Sequence, residues 1–90
     1  MMRTATLGEP SPEVRQVADA CLAALSNVLG AIRPGITAAE VAESGWEGIK
    51  QAGNDLFFHG NFGYAVGAGL PPSWADGTAA ITLEEETILR

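Results

Sequence analysis

The chain has 90 residues, of which 47% are hydrophobic and 18% are charged, and its formal net charge is −6. A chain of this length forms one small domain at most, and this composition is too apolar for an intrinsically disordered protein. Only five lysines and arginines are present, which argues against the basic patch that nucleic-acid binding requires. No apolar run approaches the roughly 20 residues that span a bilayer, so we expect neither nucleic acid nor a membrane as a partner.

The first ten residues and the single cysteine indicate the cellular setting. Residues 1–10 leave no room for the apolar core of a signal peptide, and we predict a flexible N-terminal arm there. One cysteine, Cys21, cannot form an internal disulfide, which favours a reducing compartment and predicts a cytoplasmic protein. Cys21 lies within an apolar helical pattern and is interpreted as a packing residue, because a nucleophilic role would need a base beside it.

A first helix is predicted to begin at Ser11, which can accept a hydrogen bond from a backbone N–H, with Pro12 at the first helical position. This helix is predicted to stop at Pro34-Gly35. In between, apolar residues recur at helical spacing, at Val14, Val17, Ala18, Cys21, Leu22, Leu25, Val28, Leu29 and Ile32.

A second helix is predicted from residue 38 to about residue 51, because Thr37 and Glu40 have the spacing of a capping box. Gly53 is expected to end this helix in a left-handed turn. Gly45 and Gly48 lie inside the helix, where each costs about 1 kcal/mol relative to alanine. Their presence predicts that another element packs closely against this helix.

Glycines also dominate residues 60–69, and this segment fails the tests for a phosphate-binding loop. Pro71-Pro72 follow where a nucleotide-binding helix would begin, and Leu70 stands where a Walker loop has its lysine. Short apolar runs at residues 56–58, 81–83 and 87–89 predict β-strands. The acidic run 84–86 is interpreted as a solvated turn, because adjacent carboxylates on an extended chain point to alternate faces.

Two ring side chains in this region have two readings each. His59 is the only histidine, and alone it cannot build a zinc site without suitably placed carboxylates. His59 is interpreted first as a partly buried, hydrogen-bonded residue at the end of a strand, and second as a catalytic residue. Trp74 either walls a ligand pocket or covers the core. No Ser-His-Asp grouping follows from the spacing.

Several segments occur in a recognisable order: IRPGITAAEV at residues 32–41, Gly53, GYAVG at residues 63–67 and TILR at residues 87–90. In this order they resemble the creatinase/methionine aminopeptidase superfamily, which includes the M24 metallopeptidases aminopeptidase P and Xaa-Pro dipeptidase. GYAVGAGLPPSW at residues 63–74 is most similar to the ectoine-hydrolase-type branch. The resemblance covers nearly all of the chain from Ser11 onwards, and it identifies residues 11–90 as a partial M24-like catalytic domain.

The resemblance implies a partial pita-bread fold of the α+β class, with two helices packed on a short antiparallel sheet. Part of that sheet would lie outside these 90 residues, which leaves an open strand edge. An open edge invites pairing with another chain. We therefore expect a homo-oligomer or a partner that supplies the missing part of the domain.

M24 metallopeptidases hold two divalent metals with two aspartates, one histidine and two glutamates. The resemblance places Tyr64 at the histidine position and the four carboxylates outside these 90 residues. A neutral phenol is a poor ligand for hard divalent metals. We therefore expect no metal, no other cofactor and no catalytic residue in this chain. Hydrolysis without a metal is what the creatinase-like and ectoine-hydrolase-like members imply.

The expected function is that of a piece of an M24-type C–N hydrolase that is inactive alone. His59, Tyr64 and Trp74 are its candidate substrate-binding residues, for a small-molecule or peptide-like substrate in the full-length protein. The alternative hypothesis is a non-catalytic pseudo-enzyme module that self-associates or binds a protein partner. A small acidic helical domain without a family tie would explain the helices, but not the ordered GYAVG and PPSW segments.

Overall fold

The computed structural model describes residues 4–53, 55–56, 58, 61–66 and 75–89. In these ranges the chain forms helices α1 (Pro12–Ala31) and α2 (Ala38–Ala52) and strands β1 (Tyr64–Val66) and β2 (Ala75–Ala80). The two helices lie antiparallel and pack on each other. Within the described residues, neither helix has both the length and the apolar composition needed to cross a membrane.

Helix α1 begins where its sequence predicts. The hydroxyl oxygen of Ser11 accepts a hydrogen bond from the N–H of Val14 at 3.2 Å, and Pro12 occupies the first helical position. The helix ends at Ala31, shortly before Pro34. The N–H of Ile32, the C-cap, donates to the carbonyl oxygen of Val28 at 3.1 Å. Both ends are therefore set by local chemistry.

The core lies between the two helices and is built from small side chains. Among the residues that the structure describes, Val41 is the largest side chain that is fully buried. A Cβ atom on Gly48 would lie only 2.6 Å from the backbone nitrogen of Ala24, so the helix backbones are nearly in contact at this point. The close approach predicted from the helical glycines is confirmed. In the described part of the chain, the buried apolar residues are Ala20, Ala24, Val28, Ala38, Val41, Ala42 and Ile49.

Side-chain hydrogen bonds link the two helices near both ends of their interface. Asn27 Nδ2 donates to the carbonyl oxygen of Ser44 at 3.0 Å, and Ser44 Oγ donates to the carbonyl oxygen of Asn27 at 3.3 Å. At the other end, Gln16 Nε2 donates to the carbonyl oxygen of Ala52 at 2.9 Å. This bond satisfies a carbonyl that the end of α2 would otherwise leave without a helical partner.

Gly53, the C-cap of α2, does not adopt the predicted left-handed turn. Its φ is 162° and its ψ is 145°, which is extended backbone. The prediction was wrong: the end of α2 is held instead from the neighbouring helix, where Gln16 donates to the carbonyl oxygen of Ala52.

The capping box predicted at the start of α2 is confirmed. Thr37 Oγ1 accepts a hydrogen bond from the N–H of Glu40 at 3.2 Å, and Glu40 Oε2 accepts from the N–H of Thr37 at 2.8 Å. The N–H of Val41 donates to the carbonyl oxygen of Thr37 at 3.3 Å. Four N–H groups at the start of α2, those of residues 37–40, have no partner within the helix. The capping box satisfies two of them, those of Thr37 and Glu40.

Residues 85–89, which we call the closing segment, satisfy the other two N–H groups. The carbonyl oxygens of Thr87 and Glu85 accept from the N–H groups of Ala38 and Ala39 at 2.9 and 2.8 Å. The closing segment is also bonded to the turn that precedes α2, in which Gly35 has a φ of +94°. The two bonds, each 2.8 Å, run from the N–H of Gly35 to the carbonyl of Leu89 and from the N–H of Leu89 to the carbonyl of Ile36.

The predicted α+β arrangement, two helices packed on a short antiparallel sheet as in a partial pita-bread fold, is wrong. In the described part of the chain the helices pack on each other, and no sheet forms a layer beneath them. Strand β1 pairs antiparallel with β2, with Tyr64 opposite Ala80 and Val66 opposite Ala75 across an irregular register. Two strands of three and six residues offer too small a face to cover two helices, whereas the small residues of α1 and α2 fit each other directly.

The three apolar runs predicted as strands also differ from the structure. At residues 56–58, Leu56 and Phe58 lie outside any strand, and residue 57 lies outside the described residues. Strand β2 ends at Ala80, just before the run 81–83. In the run 87–89, only Ile88 forms a β-bridge, opposite Thr37. Such short runs lack the length that would separate a strand from an apolar loop.

Candidate functional site

Of the three predicted substrate-binding residues, the structure describes Tyr64. It occupies the first position of β1, opposite Ala80, and its side chain is 47% exposed. His59 and Trp74 lie outside the described residues. Their grouping with Tyr64 in one pocket stays a prediction.

The backbone before Tyr64 is held in a fixed position. The N–H of Phe62 donates to the carbonyl oxygen of Ile81 at 2.9 Å, and the N–H of Ile81 donates to the carbonyl oxygen of Gly63 at 2.8 Å. A Cβ atom on Gly63 would lie 3.1 Å from Ile81 Cδ1. Glycine at this position lets the two segments of the chain approach closely. The hydrogen bonds between these segments fix the position at which β1 begins with Tyr64.

Three aromatic side chains attach this region to α2, and we call them the aromatic cluster. The rings of Phe58 and Phe62 stack with centroids 4.4 Å apart, and the ring of Trp46 meets each of them edge-on at 6.0 Å. Phe62 Cδ1 lies 2.6 Å from where a Cβ atom of Gly45 would be. Gly45 therefore leaves the space into which the Phe62 ring packs.

The aromatic cluster was not predicted from the sequence. Gly45 indicated a close contact with another element but did not indicate which residue makes it. The signal was available in part, because Trp46 follows Gly45, Phe58 lies in a predicted strand and Phe62 follows four residues later. Spacing alone does not show which aromatic residues meet, since residues 46 and 62 are joined only by tertiary packing.

Two cavities lie beside the aromatic cluster. One, of about 220 Å³, is mostly apolar and lies between the helices and the cluster; its lining includes Cys21, Leu25, Ile49, Phe58 and Phe62. The other is an open groove of about 670 Å³ along the outer side of α2, lined by Glu40, Glu43, Ser44, Trp46, Glu47, Lys50 and Leu83. Cys21, interpreted from sequence as a packing residue, is exposed at the edge of the first cavity.

Two carboxylates near the start of α2 are held ionised by hydrogen bonds. The backbone N–H and then the hydroxyl of Thr37 lower the pKa of Glu40, with a smaller contribution from the charge of Arg33. The hydroxyl and then the backbone N–H of Thr87 lower the pKa of Glu85. A carboxyl group with a lowered pKa is a weak base, so neither group is suited to accept a proton. Glu40 caps α2, and Glu85 holds the backbone and hydroxyl of Thr87 in the closing segment.

The described residues do not fit a two-metal centre. In the parts of the chain that the structure covers, no three histidine, cysteine, aspartate or glutamate side chains gather closely enough to hold a metal ion. Glu40 and Glu85 are engaged by Thr37 and Thr87.

Comparison with known proteins identifies the family. The model of metallopeptidase family M24 matches residues 1–90. The chain is 32% identical over 89 residues to an uncharacterized hydrolase/peptidase, y4tM, of Sinorhizobium fredii, and 32% identical over 89 residues to the ectoine hydrolase of Halomonas elongata. Each alignment covers 99% of this chain and 22% of the relative, so the chain spans about a fifth of the length of the curated relatives it matches.

No solved structure matches the chain with significance. The family match nevertheless extends over all 90 residues, and it confirms the resemblance found in the IRPGITAAEV and GYAVG segments. This chain belongs to metallopeptidase family M24.

Proposed function

We propose that this chain acts within an M24-type C–N hydrolase, where it supplies one wall of a substrate pocket, and that the 90 residues turn over no substrate alone. The observation that carries the proposal is the family match over the whole chain, together with the relative named ectoine hydrolase. The single cysteine supports a reducing, cytoplasmic setting.

Tyr64 is the residue that we assign to the pocket wall. The hydrogen bonds of Phe62 and Ile81 fix the start of β1, and the packing of Phe62 against Gly45 ties it to α2. A phenol hydroxyl both donates and accepts hydrogen bonds, so an exposed Tyr64 suits the orientation of a small polar or peptide-like substrate. His59 and Trp74 are the further candidates for this wall.

The first experiment measures turnover by the purified chain with ectoine and with an Xaa-Pro dipeptide. Release of a free amino group is followed with time, with and without added divalent metal ions. We expect no release above the rate in buffer. Turnover by the 90 residues would contradict the assigned scaffolding role.

The second experiment measures binding of ectoine to the same chain by NMR titration. If the phenol hydroxyl bonds the ligand, Tyr64→Phe should weaken binding roughly fivefold, since one hydrogen bond contributes about 1 kcal/mol. The ring and the strand are retained in this variant, so the loss reports on the hydroxyl alone. Equal affinity of the variant and the parent chain would remove Tyr64 from the pocket.

The alternative function is a non-catalytic module that self-associates or binds a protein partner. One observation favours it, namely the large aliphatic side chains that stand exposed along α1. Gel filtration separates the two hypotheses. A folded dimer of defined size supports the module, and an aggregating chain supports a piece of a larger enzyme.

A further inference from the structure

Gly45 lies where three parts of the structure meet. A Cβ atom on Gly45 would lie 2.6 Å from Cδ1 and Cε1 of Phe62 and 2.9 Å from Cγ2 of Val28. Val28 belongs to α1, and Phe62 belongs to the segment before β1. We call the space that Gly45 leaves between these two side chains the notch. Because atoms already fill this space to contact distance, any larger residue at position 45 would displace one of the two neighbours.

Of these two neighbours, Phe62 is the one that would move. Val28 is only 4% exposed and belongs to a helix of 20 residues that packs along α2, so moving Val28 would disturb the whole helix interface. Phe62 lies outside the helices, in the segment before β1. Its ring stacks on Phe58 and meets Trp46 edge-on, so its place is set by the notch and the two rings beside it.

The backbone passes the position of Phe62 on to Tyr64. The N–H of Phe62 donates to the carbonyl oxygen of Ile81 at 2.9 Å, and the N–H of Ile81 donates to the carbonyl oxygen of Gly63 at 2.8 Å. Tyr64 follows directly and is the first residue of β1. A single residue separates the ring in the notch from the phenol, so a displaced ring moves the start of the strand.

The strand pair depends on such attachments for its place. In the part of the chain that the structure describes, β1 packs chiefly on β2, and α1 packs on α2. Strands of three and six residues have little stability as an isolated pair. The aromatic cluster joins the segment before β1 to α2, so this cluster carries the position of the helix to the strand.

We propose that Gly45 and Phe62 are positioning residues for Tyr64. The notch at Gly45 receives the Phe62 ring, and the bound ring sets where Tyr64 stands in the pocket wall. This inference rests on the proposed function, because it assigns a role to residues that lie behind the proposed wall. It extends that function from the residue at the wall to the helix that places it.

NMR spectra of the purified chain test the proposal through Gly45→Ala, with Gly48→Ala as the matched control. Both changes add one methyl group to a buried position of α2, but the methyl group of Gly48→Ala meets the backbone of Ala24 instead of an aromatic ring. We expect Gly45→Ala to shift the ring resonances of Tyr64 and the amide resonance of Ile81, and Gly48→Ala to leave both near their parent values. A loss of stability alone does not move the resonances of the folded state. Equal shifts in the two variants, or an unmoved Tyr64 in Gly45→Ala, would overturn the proposal.

Phe62→Leu covers the case in which Gly45→Ala does not fold. Leucine keeps an apolar side chain at this position but lacks the ring that fills the notch. The ring resonances of Tyr64 should therefore shift in this variant as well. Unchanged Tyr64 resonances in a folded Phe62→Leu chain would show that the strand is placed without the notch.

Ectoine titration separates this inference from the proposed function. Gly45→Ala should weaken ectoine binding roughly fivefold, as expected for Tyr64→Phe, because both changes remove the same hydrogen bond. The double variant should therefore lose little more affinity than either single variant. Additive losses would show that Gly45 acts independently of Tyr64, against the positioning role. A parent chain that does not bind ectoine would contradict the proposed pocket wall, and the resonance shifts would still decide the positioning role.

Discussion

At the residue scale, Glu40 and Glu85 bind backbone N–H groups close to the start of α2. Glu40 accepts from the N–H of Thr37, and Glu85 accepts from the N–H of Thr87. The start of a helix carries a partial positive charge, and Glu40 lies in the first turn of α2. The charge of Glu40 therefore contributes to the stability of α2, whereas Glu85 orders the closing segment at Thr87.

We predict that acid weakens the fold through Glu40. Hydrogen bonds lower the pKa of Glu40 below its ordinary 4.5 in the folded chain. The contribution of Glu40 to stability is therefore fully present above pH 4.5 and is lost as the pH falls through the folded pKa. Glu40→Gln keeps the capping-box geometry and removes this titration, so urea unfolding should depend less on pH below about pH 5.

The control for this prediction is Glu43→Gln. Glu43 is an exposed carboxylate of the same helix outside the capping box, and its replacement changes the net charge equally. The parent pH dependence should persist in Glu43→Gln. An identical loss of pH dependence in both variants would assign the effect to net charge instead of to the cap.

At the element scale, the helices could be predicted because their signals are local. Ser11 and Pro12 start α1, and the Thr37–Glu40 box starts α2; each signal lies within four residues of the sequence. The packing partner of each helix could not be predicted in the same way. Apolar residues cover a broad part of the surface of α1, and the sequence does not show which side of it meets α2.

The candidate site was predictable only as a set of residue types. The family resemblance of the glycine-rich segment indicated Tyr64, and the structure places Tyr64 on a strand. The aromatic cluster that anchors this strand depends on contacts between α2 and the segment before β1. Tertiary contacts of that kind leave no spacing signal in a single sequence.

Two glycines of the helices should respond oppositely to alanine. Gly48→Ala places a Cβ atom 2.6 Å from the backbone of Ala24, and the overpacking of about 1–3 kcal/mol exceeds the gain in helix propensity of about 1 kcal/mol. Gly30→Ala is the matched change in α1, where nothing lies within 4 Å of the new atom. We expect thermal unfolding to show a less stable Gly48→Ala and a more stable Gly30→Ala. A stabilised Gly48→Ala would contradict the close helix contact.

At the scale of the whole molecule, the closing segment joins the last described residues to the middle of the chain. Its four backbone bonds complete the start of α2 and hold the turn at Gly35. The stability of α2 therefore depends on residues far away in sequence as well as on its own cap.

Proline substitution in the closing segment tests this dependence. Leu89→Pro removes the N–H that donates to the carbonyl of Ile36 and should lower the free energy of unfolding by about 1 kcal/mol or more. Ile88→Pro is the control, because the bonds of the bridge use the N–H of Leu89 and the carbonyl of Thr87 rather than the N–H of Ile88. Urea unfolding should rank Leu89→Pro as the less stable variant. Equal losses in the two variants would indicate a general effect of proline instead.

The bridge between Thr37 and Ile88 also sets an order of events during folding. It closes a loop of roughly fifty residues, and the entropy lost on closure grows with loop length. The two helices are joined by a short turn, so their contacts form at much lower entropic expense. We therefore expect the helical hairpin to assemble first and the closing segment to dock afterwards, onto a helix that has already formed.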